Sequence, residues 1–333
     1  MSRSLYNKLS LFACGLTLVV IVLGAWVRLT DAGLGCPDWP GCYGHLTWPA
    51  SADDLAVAEQ VRLDRAVDVG AAIREMVHRY AAAILGLVVL ILAVGGWQRR
   101  REPGQPVKLP LILLGVILFQ GALGAWTVTL MLKPAIVLAH LGGGMLTFCL
   151  LVLLYLRTRP RQNRPTLPQR KLKPAIALAS VVLIAQVLLG GWVSTNYAAL
   201  ACPDFPACTG QWWPETNFSE GFRLWRGIGV DYEGGILDHP ARVAIHLTHR
   251  IGAVVVIGVF GWLLWRLLQT PGLARPAWVL GALLTTQITL GILNVVKSLP
   301  LAVAVAHNGV AALLLASMVY LLYRTSHRER ISA

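Results

Sequence analysis

Eight apolar stretches, each about as long as a bilayer-spanning helix, dominate this chain of 333 residues. A helix needs roughly 20 apolar residues to cross the hydrocarbon core of a bilayer, and an irregular backbone is not tolerated there. With 56% hydrophobic and only 14% charged residues, the chain has too few polar groups to cover a soluble domain. We therefore predict an all-α integral membrane protein in the lipid bilayer, with eight transmembrane helices at residues 9–27, 76–96, 109–130, 136–155, 174–194, 243–265, 277–296 and 301–323.

The basic residues are distributed unevenly between the segments that join these stretches. Eighteen of the 29 Lys and Arg residues lie at the two termini and in the loops after the second, fourth and sixth stretches. The same segments contain only Glu102 and Glu329 of the 16 acidic residues. The positive-inside rule therefore predicts a multi-pass protein of the cell (inner) membrane with both termini cytoplasmic. The net charge of +13 reflects this topology, and we expect no nucleic-acid partner.

The chain repeats itself with a period near 167 residues, which predicts two related four-helix bundles. We place the N-terminal half at residues 1–160 and the C-terminal half at residues 161–333. Because each half has an even number of helices, both enter the membrane from the same side. The matching segments are Leu-Gly-Ala-Trp-Val at 23–27 with Leu-Gly-Gly-Trp-Val at 189–193, the Cys-Pro-Asp motifs at 36–42 and 202–208, His-Arg at 78–79 and 249–250, and Ala-His at 139–140 and 306–307.

Each half carries two histidines inside its apolar stretches, where ionisable side chains usually face the interior of a bundle and bind or pair. The topology places all four within about two turns of the outer ends of alternate helices. Two imidazoles at matching depth in a four-helix bundle can clamp a planar tetrapyrrole as axial ligands. We therefore predict a heme site in each half rather than four packed side chains, at His78 with His140 and at His249 with His307. Glycines at 142–144 and 309 are expected to let the backbone approach the macrocycle.

The two halves differ at one position close to these histidines. Glu75 aligns with His246, each three residues before the His-Arg pair, so its side chain shares a helical face with the histidine. A carboxylate beside only one heme suggests that this site reacts, whereas the other carries electrons. The alternatives are a salt bridge from Glu75 to Arg74 or Arg79, and a mononuclear metal site in which Glu75 or His246 supplies a third ligand.

Four of the six cysteines lie in the two long outer loops, at residues 28–75 and 195–242. The pairs Cys36 with Cys42 and Cys202 with Cys208 have identical spacing, and disulfides are permitted outside the cytoplasm. We predict a small disulfide-closed loop in each half; metal binding or redox activity of the first pair are the alternatives. The other two cysteines lie in apolar stretches and are expected to pack.

In combination, these motifs resemble the heme A synthase family over nearly the whole chain, and the loop cysteines resemble its bacterial, cysteine-containing branch. The resemblance implies an oxidoreductase that converts a methyl group of heme O to a formyl group, giving heme A for terminal oxidases. It also implies that His249 and His307 bind the iron of a heme b cofactor and that His78 and His140 flank the heme O substrate, with Glu75 catalytic.

A competing interpretation is a non-catalytic, di-heme electron carrier of cytochrome b type, or a heme-transfer protein, in which the two sites would be equivalent. A transporter is compatible with the fold alone. Heme O synthase and terminal oxidase assembly factors are the partners that the resemblance implies, and the sequence leaves homo-oligomerisation open.

Overall fold

The computed structural model describes residues 1–61, 66–159 and 164–326 of the chain. Arg161, Arg328, Glu329 and Arg330, which enter the charge distribution above, lie outside the described residues. The same is true of a few positions in the first outer loop, 62–65.

The described residues form eleven α-helices, and eight of them are long and apolar enough to cross a membrane. These eight coincide with the eight predicted stretches, so the prediction of an all-α, eight-span protein is confirmed. The helices are α1 (Arg3–Leu29), α2 (Ala52–Val61), α3 (Val69–Gln98), α4 (Lys108–Thr129), α5 (Pro134–Thr158), α6 (Leu167–Lys171), α7 (Lys173–Thr195), α8 (Phe218–Gly221), α9 (His239–Leu268), α10 (Ala274–Val296) and α11 (Leu301–Thr325).

The two histidine-bearing helices that follow the outer loops begin earlier than predicted. The Asp68 side chain accepts a hydrogen bond from Ala71 N–H at the start of α3, and Asp238 caps α9 in the same way through Ala241. These caps satisfy backbone donors at the helix start, so polar residues before the apolar stretch join the helix. His78 and His249 therefore lie about 14 to 15 Å from the start of their helices rather than within two turns.

Helix contacts inside the first half are repeated inside the second. Helix α1 packs on α3 and α5, and α4 packs on α3 and α5; in the second half, α7 packs on α9 and α11, and α10 packs on α9 and α11. The halves meet through α1 with α11, α5 with α7, and α5 with α11. A large apolar cluster, with Leu92, Leu151, Phe260 and Leu314 among its fully buried members, runs through both bundles and joins them.

Both outer loops fold over the ends of the bundles, and both predicted disulfides are confirmed, at Cys36–Cys42 and Cys202–Cys208. The second loop also reaches across to the first half. Tyr232 donates its backbone N–H to the Met131 carbonyl, and the buried Lys133 lies 3.4 Å from the centre of the Trp225 ring. The outer loop of one half thus covers part of the other.

Candidate functional site

One cavity of about 1890 Å³ extends through both halves, and all four predicted histidines line it. Its volume is well above the roughly 1,000 Å³ that bounds most pockets for a single small ligand. Residues from all eight spanning helices contribute to the lining, and Trp39 and Phe205 from the two disulfide loops contribute at the outer end. The structure therefore joins the two predicted histidine pairs in one continuous space.

Each of the four imidazoles packs against a glycine on the neighbouring helix of its own half. A Cβ atom on the glycine would lie 3.0 to 3.4 Å from the Cε1 atom of the ring, a distance at which a side chain would press on the imidazole. The same arrangement occurs at all four histidines. The pairs are Gly24 with His78, Gly124 with His140, Gly190 with His249, and Gly291 with His307.

Gly143 and Gly309, which we expected to let the backbone approach a macrocycle, have other neighbours, so that expectation is wrong for these two glycines. A Cβ on Gly143 would collide with the Gln120 side chain, and one on Gly309 would meet Val22. Gly143 therefore provides room for an amide side chain, and Gly309 for helix packing between the halves. Neither glycine provides room for a macrocycle.

Three of the four histidines have a glutamine beside them. The Gln120 amide donates to the backbone carbonyl of His140 at 2.9 Å, and the Gln287 amide lies 3.2 Å from Nε2 of His307. The Gln186 amide contacts both Nδ1 and the backbone carbonyl of His249, at 3.1 and 2.9 Å. The repeat had already aligned Gln120 with Gln287, whereas Gln186 was missed because its position in the first half is Val20.

These surroundings fit a heme in each half. The cavity lining is mostly apolar, and the residue that faces Cε1 of each imidazole from the neighbouring helix is a glycine, which has no side chain. An imidazole that faces a large apolar cavity from one helix, with a second imidazole from another, provides the donor set of a bis-histidine heme.

Glu75 lines the same cavity and is 4% exposed. Its Oε1 accepts from Arg79 at 2.6 Å, and its Oε2 accepts from the backbone N–H of Cys36 at 2.9 Å. The salt bridge to Arg79 that we considered is therefore present, whereas Arg74 pairs with Asp68 instead. The carboxylate is thus held from two sides, at the junction between α3 and the first disulfide loop.

His246 occupies the corresponding place in the second half and is equally buried. Its Nδ1 lies 3.0 Å from the backbone carbonyl of Ala198, on the chain just after α7. His249, one turn later, is the histidine that packs against Gly190. Of these two histidines, the structure places only His249 in the repeated glycine contact.

The arginine of each His-Arg pair holds the disulfide loop of its own half. Arg79 donates to the carbonyls of Asp38, Pro40 and Gly41, and Arg250 donates to the equivalent stretch of the second loop. The loop itself is closed by an aspartate: the backbone N–H groups of Gly210 and Thr209 bind Asp204 and hold the pKa of its carboxyl below the ordinary value. These contacts fix the outer loops relative to the histidine helices.

Arg28 lies where the two halves meet at the outer end of the cavity. It donates to the Ser194 carbonyl at 2.6 Å and stacks over the Tyr197 ring, whose hydroxyl donates to Asp31. Arg28 aligns with Ser194 in the repeat, and Asp31 with Tyr197, so equivalent positions touch across the boundary. Over residues 1–61, 66–159 and 164–326, no group of three or more His, Cys, Asp or Glu side chains is arranged to hold a metal ion.

Comparisons with known proteins give consistent results over nearly the whole chain. The sequence profile of the COX15-CtaA family, described as cytochrome oxidase assembly protein, matches residues 7–319. The heme A synthase of Shewanella oneidensis is 45% identical over 94% of this chain and 94% of its own length. The heme A synthases of Halalkalibacterium halodurans and Rhizorhabdus wittichii are 27% and 28% identical; the matches cover 99% and 96% of this chain and 100% and 93% of theirs.

Proposed function

Since this chain belongs to the COX15-CtaA family of cytochrome oxidase assembly proteins, we propose that it oxidises a methyl group of heme O to a formyl group. The product is heme A for terminal oxidases. The chain is a multi-pass membrane protein and a heme A synthase, an enzyme that acts on heme O. The oxidoreductase chemistry and the residues that perform it are the proposal.

A single difference within a repeated framework supports the proposal best. The glycine contacts, the disulfide loops and the arginine clamps recur in both halves, yet the buried position beside the first histidine is Glu75 in one half and His246 in the other. Two equivalent redox centres would not need this difference. We therefore assign the substrate site to residues 1–160 and the cofactor site to residues 161–333.

In the first half, His78 and His140 flank heme O, and Glu75 is the catalytic residue. Each carboxylate oxygen has two lone pairs, so the bonds from Arg79 and Cys36 N–H leave Glu75 able to accept a further hydrogen bond. Oxidation of a methyl group to a formyl group removes C–H hydrogens, and a positioned carboxylate can take up protons in such a step. The two fixed contacts hold that carboxylate toward the cavity.

In the second half, His249 and His307 hold heme b through its iron. With water as the source of the formyl oxygen, the conversion of methyl to formyl releases four protons and four electrons, and a heme b in this half would pass the electrons one at a time to an external electron acceptor. The side chains of the second half keep that group in the same cavity as the substrate, because the lining is continuous between the halves.

Pigment extraction tests the proposal directly. The protein is expressed together with heme O synthase in a host that lacks its own heme A synthase, and extracted hemes are separated and identified. We expect heme A to accumulate with this chain and not with an empty vector. A preparation that contains heme b and heme O but no heme A above background would rule out the enzyme and favour the di-heme electron carrier or heme-transfer protein.

A further inference from the structure

Arg242 is an arginine of the cavity wall whose guanidinium has no partner within the described part of the protein. Four arginines of the described residues line the cavity. Arg28 is held by a carboxylate and a carbonyl where the halves meet, and Arg79 and Arg250 are held by the disulfide loops. No hydrogen bond or ion pair joins the Arg242 guanidinium to another described residue, and its Nε is buried.

Neither helix stability nor the lipid surface accounts for Arg242. It is the fourth residue of α9, and the first turn of a helix favours acidic rather than basic side chains. An arginine that binds lipid headgroups would project from the outside of the bundle, whereas Arg242 is half-buried and lines the cavity. Burial of a donor without an acceptor is unfavourable. The buried Nε therefore points to an acceptor on the molecule that the cavity holds.

Arg242 and Asn294 both lie on the outer side of the second histidine pair. Arg242 precedes His249 by seven residues, so it lies on the same face of α9 and about 10.5 Å closer to the outer end. Asn294 on α10 lies one turn outward of Gly291, the glycine that faces His307. It lines the cavity, and its buried Oδ1 has no partner among the described residues. The outer part of this pocket is therefore polar.

The chemistry of heme fits this distribution of polar and apolar groups. Heme b is an apolar macrocycle with two propionate carboxylates that project from one edge. A guanidinium can bind a carboxylate through two parallel N–H···O bonds, and the amide N–H of Asn294 is a donor for the same edge. Arg242 therefore has the charge and the donor geometry that a propionate requires, above a mostly apolar wall that suits the macrocycle.

The first half has no equivalent cation. The position aligned with Arg242 is Ala71, which is buried, and a Cβ on Gly35 would collide with its backbone. The first outer loop thus covers this part of α3 and leaves no room for an arginine. The two arginines that the first half contributes to the described lining, Arg28 and Arg79, are both paired with carboxylates. A heme in this half would meet no unpaired arginine among the described residues.

We propose that Arg242 binds a propionate of the heme in the second half, and so orients and retains that heme. The first half lacks this contact and can release its heme. This inference rests on the proposed assignment of heme b to His249 and His307. The difference suits an enzyme that keeps one heme as its cofactor and has to pass the other on as its product.

The test compares heme b with its dimethyl ester, in which both propionates are uncharged, in the purified full-length protein. Each heme is loaded by exchange, and its loss is followed by transfer to an excess of apomyoglobin. Arg242→Gln removes the charge, and Arg242→Lys keeps the charge without the planar fork. Arg223→Gln is the matched control, because Arg223 belongs to the second outer loop, is exposed and pairs with Glu220.

We expect the unsubstituted protein to lose the ester about tenfold faster than heme b, because the ester cannot form the charge-assisted pair. Arg242→Gln should lose both hemes at the same, faster rate. Arg242→Lys should keep part of the preference for heme b, and Arg223→Gln should keep all of it.

An undiminished preference for heme b in Arg242→Gln would overturn the inference, as would equal loss of both hemes from the unsubstituted protein. If Arg242→Gln holds no heme, Arg242→Lys decides. Retained heme b that is preferred over the ester supports the pair, whereas loss of this preference, or of heme from both variants, overturns it. Absence of heme b from the unsubstituted protein as purified would instead contradict the cofactor assignment, and heme content of the same samples separates these results.

Discussion

Glu75 and His246 occupy equivalent positions in the two halves but differ in charge and in hydrogen bonding. Both are almost completely buried, and both bond to the backbone of the outer segment of their own half. Glu75 accepts a hydrogen bond from an N–H group, and the Nδ1 of His246 faces a carbonyl. Because burial of a carboxylate is unfavourable without partners, the Arg79 ion pair is what allows the first half to keep this group in the membrane.

Glu75→Gln should abolish most of the heme A formation while leaving heme b in place. The amide keeps the size of the side chain but cannot take up a proton, and general acid–base groups contribute about 10²- to 10⁴-fold to a rate. Heme A per mole of protein in extracts measures the effect. Glu59→Gln, at an exposed carboxylate of α2, is the matched control; equal heme A in both variants would exclude Glu75 from the chemistry.

Alanine variants of the two histidine pairs should differ in whether the purified protein retains heme b. His249→Ala and His307→Ala should lose the heme b of the purified protein, because an apolar site with one imidazole lacks an axial ligand. His78→Ala and His140→Ala should keep it and lose heme A formation. Pyridine hemochrome spectra of the four variants provide the measurement, and loss of heme b from the His78 or His140 variant would contradict the assignment of the halves.

At this scale, the residue types that carry chemistry could be predicted, but not their contacts. Four apolar-segment histidines, one unmatched glutamate and two cysteine pairs are evident in the letters of the sequence. Gln186 and the Gly24 and Gly190 contacts are not, because they depend on how two helices rotate against each other. The repeated Leu-Gly motifs at 23–24 and 189–190 were a signal that these glycines have a common role.

The spanning helices were predictable because their apolar length exceeds what any other element needs. Their ends were less so: polar residues of the outer loops continue α3 and α9 for roughly one to two turns beyond the apolar stretch, and caps decide such extensions. The pairing of helices followed from the repeat, since a duplicated sequence favours duplicated packing.

Glycine-to-alanine changes should show that α1 positions His78 and that α7 positions His249, each without affecting the other site. Gly190→Ala places a Cβ 3.0 Å from the His249 ring, and Gly24→Ala does the same at His78. We expect the first to lower heme b retention by about tenfold, and the second to reduce heme A formation without loss of heme b. Gly15→Ala in α1 and Gly258→Ala in α9 are controls, because no described atom other than the adjacent residues and backbone of the same helix lies within 4 Å of the added Cβ.

The disulfide loops should differ in importance although they share one design. Replacement of both cysteines of a loop by serine should cost about 2 kcal/mol for so short a loop, visible as a lower melting temperature. Cys36→Ser with Cys42→Ser should also reduce heme A formation, because Cys36 N–H holds Glu75. The same change at Cys202 and Cys208 should affect mainly stability. Full turnover in the first double variant would exclude a redox role for that pair.

At the scale of the whole molecule, charge distribution and loop structure predict the same orientation. We propose that the termini face the cytoplasm and that both disulfide loops lie on the other side of the cell (inner) membrane. Asp53→Cys in α2 should react with a membrane-impermeant maleimide in intact cells, whereas Arg101→Cys between α3 and α4 should react only after permeabilisation; both positions are exposed. Labelling of Arg101→Cys in intact cells would show that the orientation in the membrane is the reverse of the one that we propose.

The boundary between the halves has the form of an isologous interface: α1 meets α11 as α7 meets α5, and α5 meets α11 across the middle. A homodimer of such a half would have the same contacts, and its two pockets would necessarily carry identical side chains. Fusion into one polypeptide removes that requirement, so mutation can act on one pocket alone. The symmetry of the two halves thus remains in the helix packing, while the two pockets differ at a few unmatched positions on the cavity wall, among them Glu75 and His246.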